Sequence, residues 1–323
     1  MRLTRRSVLI GAGSALLAGA LPALAAGVRV IGGPAFGTSW RVTLPEGTEE
    51  SAIASAIRST VDSVDAAMSP FRADSEVSRF NASGTCDWQA LSPETCAVVR
   101  QSLAVAARSG GAFDPTVGPI VGRYGFGPIR EFSTGSFLDI AVREDAVKKS
   151  EPSLTLDLCG IAKGHALDRM VAALDGFRVT NYLIELGGEV FARGAHPDGR
   201  AWHVGVERPV PGPTALQRIV QLDGRALATS GDAVSGYTIA GRRYSHIIDP
   251  HRGAPVDNGI ASVSVFMPAA AMADALATAL MAMGPEAGAA LADFKEIPAL
   301  FIVREGGALR EIMTGGFADA VIA

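Results

Sequence analysis

The sequence predicts a single α+β unit, and three observations carry the prediction. Helical and extended segments fall in blocks as much as they alternate, no repeat of solenoid length is present, and no Rossmann glycine fingerprint opens any helix. A chain of 323 residues with 48% hydrophobic and 19% charged side chains has enough apolar surface for a full core. No low-complexity linker divides it, so residues 27–323 read as one domain behind a leader at 1–26.

Val28 to Leu44 reads as extended segments broken by Gly32-Gly33-Pro34 and by Gly37. Glu49 to Met68 has helical apolar spacing and is ended by Pro70, and a second helix is expected from Pro93 to Ser109, stopped by Gly110-Gly111. Ser153 to Leu158 reads as a buried strand, Ile161 to Leu174 as a helix, and Asn181 to Leu186 as a strand. Strands are expected to dominate Val190 to Val265, followed by an Ala/Leu/Met-rich helix from Ala269 to Gly284. Pro298 to Val303 and the last ten residues are expected as edge or closing strands.

Thr4-Arg5-Arg6-Ser7-Val8-Leu9, a glycine-interrupted apolar stretch and Ala23-Leu24-Ala25 form the pattern of a cleaved twin-arginine export signal. The expectation is a periplasmic protein with no stable membrane insertion after cleavage, made three charges more acidic by the loss of Arg2, Arg5 and Arg6 from a net charge of −4. No cysteine follows the cleavage site, so no lipid anchor is expected. Cys86 and Cys96 could pair in an oxidising compartment, and Cys159 reads as a small buried side chain. No basic run or basic-aromatic interleaving occurs, which argues against nucleic acid as a partner.

Three patterns carry chemistry. Asp274 and Thr278 are four residues apart on a helix and project two oxygens from one face, as a hard cation such as magnesium requires. Asp157-Leu158-Cys159-Gly160-Ile161-Ala162-Lys163-Gly164 lies at a junction into a helix, where glycines admit a close ligand and the helix N-terminus with Lys163 favours an anion. His246 and Asp249 flank a tight turn. Ordinary readings stand beside each: an acidic first helical turn, a capped helix start, a packed histidine. Met68-Ser69-Pro70-Phe71, Asp74 to Glu76, Asn81, Ala112 to Thr116, Leu186 to Glu189 and Ala228 to Asp232 each read alone as turns.

Together and in order, these segments resemble the ApbE family, the FAD:protein FMN transferases, from about Gly37 to Gly284. The resemblance implies a T-fold-like α+β unit with FAD in an elongated cleft. FAD, the substrate, would be touched by Phe36, Phe71, Ala112, Phe113, Asp114, Asp157, Lys163, His246 and Ile247. Mg2+ would sit between the pyrophosphate, the Gly160 carbonyl, Asp274 and Thr278. Phe36 and Phe71 stand where other members often have methionine and tyrosine, and His165 replaces a common tyrosine. The implied reaction is transfer of the FMN half of FAD to a Thr or Ser hydroxyl of a target flavoprotein, a subunit of a membrane electron-transport complex, with release of AMP. His246 is the expected base and Asp249 the residue that orients it or shapes the turn. An FAD pyrophosphatase and a non-catalytic flavin-binding protein are the alternatives.

Overall fold

The computed structural model describes residues 27–130, 133–210, 213–233, 236–239 and 242–323. The expected export signal at 1–26 lies outside the described residues. An eight-stranded sheet runs through the molecule in the order Val28–Ala35, Thr38–Pro45, Tyr182–Leu186, Glu189–Arg193, Arg225–Gly231, Ile260–Met267, Ala299–Glu305, Ala308–Thr314. Every neighbouring pair is antiparallel. Helices and sheet together make the α+β class that the blocked sequence pattern predicts.

Among the described residues seven α-helices accompany the strands: α1 Glu50–Met68, α2 Glu76–Ala82, α3 Pro93–Arg108, α4 Gly118–Arg123, α5 Cys159–Gly176, α6 Ala270–Met283 and α7 Pro285–Phe294. Helix α1 buries Ile53, Ile57, Val61, Val64 and Met68, a spacing that keeps one stripe inward. Helix α6 is buried nearly all round, because it lies between the sheet and α5. Strand residues alternate between two cores. Ala226, Ala228, Val263, Val265, Ala299 and Phe301 face the helices. Leu227, Phe266, Leu300 and Ile302 face a second layer made by the Trp202–Glu207/Leu216–Leu222 hairpin and the Phe317–Ala320 turn. With both faces covered, these strands read as almost unbroken apolar runs.

Helices α5 and α6 meet at Gly164, where an added Cβ would lie 2.3 Å from the Ala270 carbonyl oxygen. Helix α6 has no cap from its own Ala269. Instead Asp168 of α5 accepts from the N–H groups of Ala270 and Ala271, at 2.7 and 3.0 Å. Burial raises the Asp168 pKa, against the pull of those two donors. One carboxylate thus sets the register of the two helices.

Four expectations are corrected. Val28–Ala35 is an unbroken edge strand despite Gly32-Gly33-Pro34, since Gly33 makes room for Trp40 and an edge tolerates proline. Leu154 to Leu158 is buried but is not a strand. Side chains take the place of a partner strand: Asn81 exchanges bonds of 2.8 and 2.7 Å with Leu156, and the buried Lys149 ammonium donates to the carbonyls of Phe80 and Leu154 at 3.1 Å. The last ten residues hold a 3-10 turn, because Gly315 and Gly316 leave the strand at positive φ. Cys159 is exposed, not buried, because it opens α5 ahead of the first buried position, Ile161; Cys86 and Cys96 are free thiols. Among the described residues no helix is long and apolar enough to cross a membrane.

Candidate active site

The site forms where the first turn of α5 faces the middle of α6. Gly164 N–H donates to Asp274 Oδ2 at 3.0 Å. A regular helix directs that N–H to the carbonyl of Gly160, so Asp274 competes with Gly160 for one donor. Thr278, one turn along α6, exchanges a hydrogen bond of 3.1 Å with Ser230 Oγ. A Cβ on Gly160 would stand 3.6 Å from Thr278 Oγ1 and 3.0 Å from Phe113 Cε2, so a larger residue would press on the Phe113 ring. Asp274 and Thr278, singled out from spacing, therefore meet Gly160, which the family resemblance added.

Lys163, one residue before Gly164, pairs with Glu189, which is 1% exposed. Burial pulls the Lys163 pKa down, but the carboxylates of Glu189 and Asp274 more than reverse it and hold the ammonium charged. Burial raises the pKa of Glu189 and of Asp274, with Lys163 opposing in both. Among the described residues no three His, Cys, Asp or Glu side chains converge as a metal cluster. What the fold brings together is one carboxylate and two hydroxyls beside the backbone of Gly160. That all-oxygen, charge-poor set fits Mg2+, which keeps several waters and takes substrate phosphates as ligands.

The loop after α3 forms one wall. Ala112 and Phe113 are buried. Asp114 turns its carboxylate into its own loop: Thr116 donates twice to Oδ1, at 2.8 and 2.7 Å, and Phe137 N–H donates to Oδ2 at 3.0 Å. Burial raises the Asp114 pKa despite these donors. Asp157 caps the start of α5 by accepting from Cys159 N–H at 3.0 Å, and its own N–H ties back to the Pro115 carbonyl. Both aspartates thus shape the wall with their side chains.

The same loop joins the second half of the site. Gly111 lies under His251, whose Cε1 is 3.3 Å from where a Cβ would sit. His251 belongs to the turn that holds His246 and Asp249. Asp249 Oδ1 accepts from the N–H groups of His251 and Arg252, at 3.0 and 3.2 Å, and so shapes the turn. Ile247 is buried, and His246 stands edge-on to Phe126 at 6.3 Å. From Gly111 to Phe113, one short loop spans from the histidine turn to the oxygen cluster.

Phe36 and Phe71 differ in setting. Phe36 is half-buried at φ +48° in the two-residue turn between the first two strands, a conformation that non-glycine residues rarely adopt. Its neighbour Thr38 lies against the Gly187 turn beside Lys163. Phe71 is 68% exposed on the turn after α1. Its link to the other candidates rests on the family pattern.

Two features escaped the sequence reading. Tyr124, Phe126, Tyr237 and Tyr244 form a stack beside His246, with ring centroids 5.1 to 6.2 Å apart. Three of the chain's four tyrosines gather there, a concentration that composition hides because Tyr124 is far in sequence from Tyr237 and Tyr244. Asp232 is 6% exposed and accepts two bonds from Arg304, at 2.8 and 2.7 Å, and one from Arg243 at 3.0 Å. It ties the Gly236–Ile239/Arg242–Ser245 hairpin to the main sheet. The segment Ala228 to Asp232, which alone reads as a turn, is mostly sheet: Arg225–Gly231 is a strand.

The ApbE family model matches residues 36–301. The chain belongs to the ApbE family. An FAD:protein FMN transferase of Vibrio cholerae is 34% identical over 304 residues, covering 89% of this chain and 91% of that protein. Its Escherichia coli K12 counterpart is 29% identical over 314 residues, covering 91% and 90%. The solved flavin transferase ApbE from Vibrio cholerae superposes with a TM-score of 0.82 at 32% identity, over 91% of this chain and 99% of that one. The apo flavinyl transferase ApbE of Pseudomonas stutzeri also superposes at 0.82, with 33% identity, over 91% and 96%. The ApbE fold and the reading of the chain as a transferase stand on these likenesses.

Proposed function

We propose that this ApbE-family chain transfers the FMN half of FAD to a Thr or Ser hydroxyl of a target flavoprotein and releases AMP. The observation that carries the reading is the convergence of Asp274, Thr278, Ser230 and Gly160 on the charged Lys163 at the start of α5. That combination suits a diphosphate held together with a hard cation. Asp274, Thr278 and the Gly160 carbonyl would hold Mg2+, which when bound neutralises pyrophosphate charge as the bridging bond breaks.

The chain's own groups do the rest. The half-exposed Lys163 ammonium binds phosphate oxygens, and Ala112 and Phe113 provide the apolar wall against which the dinucleotide lies. His246 takes the proton of the acceptor hydroxyl, whose oxygen forms a new bond to the FMN phosphorus. The bond from that phosphorus to the bridging oxygen breaks, and AMP leaves with the oxygen and the electron pair. Asp249 acts through the turn, by fixing the backbone that presents His246. Such transfers depend chiefly on positioning and charge stabilisation.

The same proposal places the chain in the periplasm after twin-arginine export, with a subunit of a membrane electron-transport complex as acceptor. The test is to mix the chain without residues 1–26, FAD, Mg2+ and a purified candidate acceptor, then to denature and resolve the proteins. A fluorescent acceptor band supports transfer. Free FMN and AMP with no labelled band would make the protein an FAD pyrophosphatase, and intact FAD a flavin-binding protein.

A further inference from the structure

Lys163 stands between two carboxylates. Its ammonium is paired with Glu189, while the next residue, Gly164, gives its N–H to Asp274. Glu189 is almost fully buried and its Oε2 has no hydrogen-bond partner among the described residues. Lys163 therefore compensates a carboxylate that would otherwise be isolated. The backbone enforces this pairing. Gly187 and Gly188 turn the strand pair at φ +61° and +111°, and a Cβ on Gly187 would meet Thr38 Cγ2 at 2.8 Å. That tight turn delivers the Glu189 carboxylate to Lys163, and the transfer step described above makes no use of it.

We propose that Glu189 is a positioning residue that keeps the Lys163 ammonium off Asp274 and so leaves Asp274 available to a divalent cation. The inference rests on the reading of Asp274, Thr278 and Gly160 as a cation site. An ammonium and a divalent cation compete for one carboxylate, because each neutralises it. Lys163 is charged under the influence of both carboxylates. With the negative charge at position 189 removed, Asp274 is the remaining carboxylate acting on it. The cation must then displace an ammonium before it binds.

Mn2+ binding, read by electron paramagnetic resonance on the chain without residues 1–26, with FAD and no acceptor, tests this without turnover. Glu189→Gln is expected to weaken Mn2+ binding about tenfold or more, and Glu189→Asp, which keeps the charge, much less. In a Lys163→Met background Glu189→Gln is expected to have no such effect, since the competitor is gone. Unchanged Mn2+ affinity in Glu189→Gln overturns the proposal. So does equal weakening in both backgrounds, which would mark Glu189 as a packing residue. Melting temperatures of all variants establish that they are folded. Mn2+ binding indifferent to Asp274→Ala would instead remove the cation-site reading itself, a failure distinct from the first two.

Discussion

Asp274 is oriented by Gly164: the Oδ2 atom of one accepts the N–H of the other at 3.0 Å, so the proposed cation ligand is aimed by the helix that also carries Lys163. Asp274→Asn keeps an acceptor for Gly164 but removes the charge, whereas Asp274→Ala removes both. Both are expected to lower the Mg2+-dependent transfer rate about a hundredfold or more. Because burial disfavours the Asp274 charge, the Asn variant should melt at or above the native temperature. Transfer rate against Mg2+ concentration, beside calorimetric melting, checks both halves.

His246→Ala is expected to bind FAD nearly as native while transfer falls about 10²- to 10⁴-fold. The side chain stands edge-on to the Phe126 ring of the aromatic stack, and the Lys163–Glu189 pair is built from other elements. Quenching of flavin fluorescence measures binding and the acceptor assay measures transfer. Parallel loss of both would make His246 a binding residue.

Asp168 is a helix cap supplied by another helix. Asp168→Ala should cost about 1–2 kcal/mol of stability through the two N–H groups left at the start of α6. The pH dependence has a definite sign. Burial raises the Asp168 pKa in the folded state. Its titration therefore contributes stability that is fully present below the unfolded value of about 3.9 and is lost as pH rises through the folded value. Asp168→Asn should be less stable than native yet lose less stability as pH rises from about 4 toward neutrality. Urea unfolding across that range reads the difference in slope.

The positions of helices α1, α3, α5 and α6 were legible because each carries a helical apolar pattern with clear stops, such as Pro70, Gly110-Gly111 and Gly284-Pro285. The segment from Leu154 to Leu158 was not, since its apolar run satisfies a strand pattern while its hydrogen bonds depend on Asn81 and Lys149 far away in sequence. Convergence of Asp274 with Thr278 followed from helix geometry alone. Ser230 and the pairing of Lys163 with Glu189 needed the fold, because neither short-range spacing nor composition brings strand ends onto a helix face.

Asp232 holds the hairpin next to His246 by its bonds to Arg243 and Arg304. Asp232→Ala should free that hairpin, speed proteolytic cleavage within residues 236–245, and lower transfer more than FAD affinity. Limited proteolysis with trypsin and chymotrypsin, compared with the flavin titration, reads both effects. An unchanged cleavage rate would mean that the hairpin is held elsewhere.

The central claim is transfer of FMN, and intact mass spectrometry of the acceptor with simultaneous quantification of AMP tests it most directly. One FMN added per acceptor through a phosphoester, with one AMP released and no added mass in the Thr/Ser→Ala acceptor, is the predicted result. AMP and free FMN in equal amounts beside an acceptor of unchanged mass would contradict it.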